Sequence, residues 1–359
     1  MRLIKRSTRE ASHPMNPVPA EVDVIDKHDT DEEEDGPPFP AGLPAPIMAA
    51  LTALCEQSLE QGVPLEAAAV ARLGVDIGAA HSLRGQMHTR AVRRAAGRVR
   101  AAMPQLTAQW KAQGAPGRCA ALAKQAKYPP YLFARLLVEA VLQVPKSKVS
   151  ELMKRPASIP DPLLREAVAE ALAVDQDNAP ANDEARHRVG VAYEALLQDR
   201  LMEKGLPFES EDELREQGLA KTPDVRLSIP VGVRDPSTRQ WREVNWVDSK
   251  ALFGDAHVWQ HEHLAQLEGY VHRYGKGLVV YWCGFDAALL NDPELASPDV
   301  AVLRDWPQEL LYPGASAPSC LPLSEFLHQN RPRSRGGGGS APPVESKSLL
   351  AASGPAVAP

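Results

Sequence analysis

The stretch KTPDVRLSIPV at 221–231, followed by REVNWVDSKALFGD at 242–255, decides how the second half of this chain folds. Val225, Leu227, Ile229 and Val231 alternate with other residues, as do Val244 and Trp246, which is the period of a half-buried strand. The intervening DPST at 235–238 supplies a turn, so the two runs read as an antiparallel hairpin. Charged residues stand at one end of it: Asp224 opens the first run, and Asp248 and Lys250 close the second.

In an antiparallel pair those ends come together, about 5 Å apart. Two carboxylates so placed repel each other unless a hard divalent cation lies between them, and Mg²⁺ is typically held by one or two carboxylates with its other positions left to water and phosphate. Residues two apart on a strand share a face, so Lys250 is expected to point the same way as Asp248. A lysine there can hold or deprotonate the water that attacks phosphorus, while Ser249 offers only its backbone carbonyl as a ligand. Without context, D…DxK also fits a surface ion pair.

Working outward, EARHRVGVAYEALLQDRLMEKG at 184–205 is helical and carries Glu194 inside an amphipathic segment. LPFES gives a short strand, DAHVWQHEHLAQLEGYVHRYG a long helix, and KGLVVYWCGF an apolar run suited to a buried central strand. The order is helix, strand, strand, strand, helix, strand, an α/β layer arrangement. On the second helix Gln266 and Tyr270 stand at i and i+4 and share a face.

Upstream, residues 46–178 repeat apolar positions at three and four, the helical period. YPPYLFARLLVEAVLQ, PKSKVSELMKRP and DPLLREAVAEALAVD read as three short helices, each opened by Pro, Ser or Asp. Such a trio fits either an ordinary bundle or a helix-turn-helix unit that offers KSKVSELMK to DNA. Residues 1–45, with EVDVIDKHDTDEEED, and 316–359, with RPRSRGGGGSAPPVESK, have no hydrophobic period and read as disordered tails. The domain plan is therefore 1–45, 46–178, 184–315 and 316–359.

The 359 residues suffice for two domains, and 44% hydrophobic with 24% charged is a globular balance. The net charge of −6 is unevenly spread. Residues 21–35 carry nine acids, whereas 81–155 carry fifteen Lys or Arg against Glu139 and Glu151, a basic middle of the kind that meets phosphates and also of the kind that is merely solvated. Cys55, Cys119, Cys283 and Cys320 lack disulfide or CxxC spacing, and no signal-peptide core or long apolar span occurs, so a soluble intracellular protein is expected. His257, His261 and His263 lie close in sequence, but with no HExxH and no third ligand fixed by spacing they support zinc poorly. Cys283 reads as core rather than nucleophile. There is no P-loop, GxGxxG or Ser-His-Asp order.

The order Glu194, Pro223-Asp224, Asp248-Ser249-Lys250 and Gln266-x-x-x-Tyr270 resembles the PD-(D/E)xK nuclease core, including the branch with a QxxxY motif. KTPDVRLSIPV, WVDSKALFGD, YGKGLVVYWCGF and KSKVSELMKRPASIPDPLL look more closely like the codanin-interacting nuclease family with its Thr-Pro-Asp signature, over about residues 125–290. The resemblance implies a helix-turn-helix-like helical domain, then a restriction-endonuclease-like α/β core. It implies a Mg²⁺- or Mn²⁺-dependent phosphodiesterase acting on DNA or RNA, and a codanin-like partner linked to chromatin and histone supply, which fits the nucleus and cytoplasm. Asp224, Asp248 and Glu194 are the expected metal ligands, Lys250 the water-positioning base, and Gln266 and Tyr270 orienting residues. Two departures stand out: Asp248 replaces the commoner Glu, and Ala192 stands where relatives can carry a further acid. The rival expectations are a catalytically silent scaffold on the same fold and a DNA-binding adaptor led by residues 46–175.

Overall fold

The computed structural model describes residues 39–112, 118–175, 177–178, 180–307 and 309–313. The tails expected at 1–45 and 316–359 otherwise lie outside the described residues. Residues 39–44, read with the first tail, are packed: Leu43 is buried and bridges Asp286.

Helices α1 (Ala45–Gln61), α2 (Ala67–Ala71) and α3 (Ile77–Ala112) come first. The sequence reads helical through this stretch, and α3 runs 36 residues, through Pro104. Its first half joins α1 and α2 in one apolar cluster that also takes in Phe253. Its second half joins α4 (Arg118–Gln125), α5 (Pro130–Leu142), α6 (Lys146–Lys154) and α7 (Pro162–Val174) around Phe133, Leu137 and Leu164. The last three of these helices stand where the sequence places them. Asp161 caps α7 by accepting from the backbone N–H groups of Leu163 and Leu164 at 2.8 and 3.2 Å.

Then α8 (Pro180–Glu203) leads to β1 (Phe208–Ser210), α9 (Glu211–Glu216), β2 (Val225–Arg234) and β3 (Trp241–Lys250). A short turn, α10 (Ala256–Val258), passes through a π-helical turn at Trp259–His263 into α11 (Leu264–Tyr274). Strand β4 (Gly277–Tyr281), α12 (Ala288–Asn291), β5 (Val300–Leu303) and β6 (Leu310–Leu311) complete the described chain. The expected helix, strand, strand, strand, helix, strand order is present in α8, β1, β2, β3, α11 and β4, except that the short helix α9, which the sequence reading did not include, stands between β1 and β2.

The mixed sheet runs β1-β2-β3-β4-β5, with β6 also on β2. β1, β3 and β6 are antiparallel to β2, whereas β3, β4 and β5 are mutually parallel neighbours. Ladder regularity between β2 and β3 breaks between Arg226 and Val231, around Pro230, which has no N–H to donate. β1 and β6 share that same edge of β2 on either side of the break. β4 is buried along its whole length, as its unbroken apolar run requires, because the sheet is covered on both faces.

Candidate active site

The hairpin register sets the site. Val225 stands opposite Val247 and Arg226 opposite Trp246, so one step further along the same ladder Asp224 comes level with Asp248. The backbone N–H of Ser249 donates to Asp224 Oδ2 at 2.6 Å, which fixes the first carboxylate against the end of β3. Lys250 Nζ lies 2.5 Å from Asp248 Oδ2, on the shared face that strand alternation dictates.

Each residue of Thr222-Pro223-Asp224 has a local task. Thr222, buried, donates its hydroxyl to Glu211 Oε1 at 3.3 Å. Pro223 restricts the backbone where the loop enters the strand. The carbonyl of Asp224 accepts from the Glu211 N–H at 3.0 Å, while its carboxylate faces Ser249. Glu211 opens α9 beside a capping box between Ser210 and Glu213, and so ties that helix to the strand start.

The electrostatics are those of crowded acids. Burial, then Asp248, push the Asp224 carboxyl up to about 8 against the lowering effects of Lys250 and the Ser249 N–H. For Lys250, burial pulls the pKa down, yet Asp248 and Asp224 outweigh it and the net direction is up, which keeps the ammonium charged. Asp248 is 1% exposed, and its Oδ2 faces Lys250 Nζ. The pair is therefore a buried ion pair.

Glu194 is brought to the rim of this centre rather than into it. Tyr193 stacks on Trp282 with ring centroids 5.2 Å apart, and Trp282 Nε1 donates to Ser249 Oγ at 2.8 Å, so α8 is anchored over the end of β3. The Glu194 carboxyl is raised by burial and by Glu211, and it feels Lys250 and Asp248. Gln266 Nε2 donates to the Tyr270 hydroxyl at 2.5 Å. Tyr270 is buried with its ring edge-on to Trp246, and Asp248 and Asp224 add to the burial that raises its pKa. Glu211, Tyr193, Trp282 and Tyr281 escaped the sequence reading, because only the tertiary contacts bring them to Asp224, Ser249 and Lys250.

The three histidines diverge. His257 and His261 stack on the helix exterior at 4.4 Å, while His263 is buried with Nδ1 2.8 Å from the Tyr281 hydroxyl. Among the described residues no group of three or more His, Cys, Asp or Glu could hold a metal ion, so neither a three-histidine zinc site nor a three-acid cluster including Glu194 forms.

Part of the basic middle is paired within the chain. Arg84 pairs with Asp177 at 3.3 Å, Arg90 with Asp255 at 2.7 Å, Arg93 with Glu262 at 3.1 Å and Arg100 with Glu139 at 3.5 Å. Arg118 donates to the Trp110 carbonyl at 2.8 Å. Lys146, Lys148, Lys154 and Arg155 on and after α6 stay exposed. None of the described helices is long and apolar enough to cross a membrane.

Residues 160–303 match the family model described as protein of unknown function, TPD sequence-motif. The chain is 39% identical over 173 residues to the CDAN1-interacting nuclease 1 of Homo sapiens, covering 46% of this chain and 58% of that protein. It is 36% identical over 174 residues to the protein of the same name from Danio rerio, covering 47% and 56%, and 31% identical over 170 residues to that of Gallus gallus, covering 46% and 56%. The match thus spans little more than half the length of these curated relatives. No solved structure matches. Thr222-Pro223-Asp224 and the site built on it fall inside the matched segment, and it is in this segment that the chain is similar to the TPD sequence-motif model and to the CDAN1-interacting nucleases.

Proposed function

We propose that this protein is a divalent-metal-dependent nuclease that hydrolyses phosphodiester bonds of DNA or RNA, on a fold of PD-(D/E)xK type. The observation that carries the reading is the Asp224–Asp248–Lys250 arrangement: two carboxylates level across a hairpin, one of them 1% exposed with an ammonium 2.5 Å from its Oδ2. The names of the relatives support it, and so does the element order around the site.

The donor set suits a hard cation. Asp224 and Asp248 would hold Mg²⁺ or Mn²⁺ with most of its remaining positions left to water and phosphate. Glu194 would act from the rim, through water. A cation there supplies charge neutralisation for the phosphate and a lowered pKa for water. With the two aspartates paired to it, Lys250 would lose the field that raises its pKa, leaving burial, which lowers it and fits Lys250 to take a proton from the attacking water. Gln266 would hold the Tyr270 hydroxyl toward the aspartates and so orient the strand.

The exposed lysines of α6 would meet the nucleic-acid backbone in the helix-turn-helix manner, and the surface outside the site would bind a codanin-like partner, as the names of the relatives suggest. Nucleus and cytoplasm are the compartments this function fits. A second reading, a silent nuclease-fold scaffold for the same partner, is favoured by one observation: Glu194 does not close a three-acid cluster among the described residues. Incubation of labelled DNA and RNA with the protein in Mg²⁺ and in EDTA, beside pull-down of a codanin-type protein, separates the two. Cutting only with Mg²⁺ supports the nuclease, and capture without cutting supports the scaffold.

A further inference from the structure

Beside the aspartates, a groove of about 450 Å³ opens between α9 and α11. That is the size range of clefts that seat small ligands. Its walls are Arg215, Leu219, Lys221 and Thr222 on one side and Gln266 and Tyr270 on the other. Neither aspartate lines the groove, but Thr222 in its wall is two residues from Asp224 and is bonded to Glu211, whose N–H donates to the Asp224 carbonyl, so the groove lies next to the site. Leu219 is 36% exposed, an apolar patch on an otherwise polar wall.

Lys221 is the residue of interest. Its backbone is left-handed, with φ of 54°, a conformation that costs a non-glycine residue energy and persists only where the surroundings impose it. Arg273 imposes it here, because its Nη1 donates to the carbonyl of Ala220 and, at 3.3 Å, to that of Lys221. The Lys221 side chain passes over Gly269 of α11, where a Cβ would meet Lys221 Cδ at 4.0 Å and nothing else nearby. Among the described residues no carboxylate pairs with Lys221, whereas Arg215 in the same wall is already bound to Glu211 at 2.7 Å. The groove therefore holds an uncommitted cation, one apolar surface and hydrogen-bonding groups, with its single acid, Glu211, occupied.

Resting on the nuclease reading above, we propose that this groove seats the nucleotide next to the scissile phosphate, with Lys221 holding that neighbour's phosphate and Leu219 lying against its sugar or base. The proposal gives the constrained loop a purpose: it aims one lysine along the path of the strand being cut.

The test is binding of a fluorescein-labelled oligonucleotide, single-stranded and duplex, in EDTA so that no cutting occurs, across a salt series. Lys221→Gly is the decisive variant because a left-handed backbone favours glycine, so lost binding in it does not reflect misfolding. It is expected to weaken binding several-fold and to lower the salt slope by about 0.7 on single strands or 0.9 on duplex, the loss of one phosphate contact. Gly269→Asp, which sets a carboxylate against Lys221, is expected to do the same, and Lys221→Arg to bind as the wild type does. An unchanged slope and affinity in Lys221→Gly, or no binding by the wild type, overturns the subsite. Cleavage in Mg²⁺ is read separately. Binding that depends on Lys221 without cutting retires the nuclease reading and leaves the subsite, and cutting with a Lys221-independent slope does the reverse.

Discussion

Arg90 Nη1 lies 2.7 Å from Asp255 Oδ2, with the two side chains 14% and 9% exposed. Asp255 also caps the following turn by accepting from the Val258 N–H at 2.8 Å. Two turns back on α3, Ser82 Oγ accepts from Phe253 N at 2.8 Å, and one turn back Gln86 Nε2 donates to Phe253 O at 2.8 Å. One face of α3 therefore grips the segment immediately after Lys250. Removing Arg90 strands a nearly buried carboxylate, so Arg90→Ala is expected to cost about 3 kcal/mol in urea unfolding. A loss below about 1 kcal/mol would show that the pair is no more than a surface contact.

The exposed pair Arg93–Glu262, on the same helix face, is a built-in comparison. Arg93→Ala is expected to cost under about 1 kcal/mol in the same measurement, because solvent screens both partners.

His263 carries an acid sensitivity. Burial, then Lys250, lowers its pKa to about 3 from an ordinary value of 6.5. Above 6.5 the imidazole is neutral folded or unfolded and costs nothing. As pH falls from 6.5 toward 3 the unfolded chain takes up the proton and the folded one does not, so stability declines by about 1.4 kcal/mol per pH unit. Asp224 works in the opposite sense: raised to about 8, it binds its proton in the folded state first and adds stability as pH falls from 8 toward 3.8. Comparing His263→Phe with the wild type isolates the histidine, and the difference between them in unfolding free energy is expected to change with pH only below 6.5. A difference independent of pH would contradict the assignment.

Gly277 starts β4 where a Cβ would fall 2.0 Å from Trp246 Cε2. Trp246 cannot retreat easily, since it is buried and its Nε1 donates to the Gly275 carbonyl at 2.8 Å. Gly277→Ala is expected to lower stability by about 3 kcal/mol, at the upper end of overpacking costs. Urea unfolding checks the loss, and because β4 lies beside β3, titration calorimetry with Mn²⁺ is expected to show weaker occupancy of the proposed metal site in the same variant.

The hairpin and the Asp224–Asp248 juxtaposition were legible in the sequence because strand alternation and a short turn leave little freedom in register. Gln266 and Tyr270 were legible for the same kind of reason, helical spacing. β5 and β6 were not, since VAVL and LL are too short to show a period and become strands only by pairing with β4 and β2. The basic middle misled in part, because a count of arginines does not say which carboxylates they will meet, and Asp255 and Glu262 come from far along the chain. Glu194 was legible as a helix residue, but its distance from the aspartates is set by the stack of Tyr193 on Trp282, which no spacing rule contains.

The most direct measurement is cleavage of labelled single-stranded, duplex and flap DNA and RNA with Mg²⁺, Mn²⁺ or EDTA, comparing the wild type with Asp248→Ala and Lys250→Ala. The account predicts metal-dependent cutting by the wild type, with both variants reduced by about 100-fold or more. Cutting that survives EDTA, or variants as active as the wild type, would contradict it, and so would a wild type that cuts nothing.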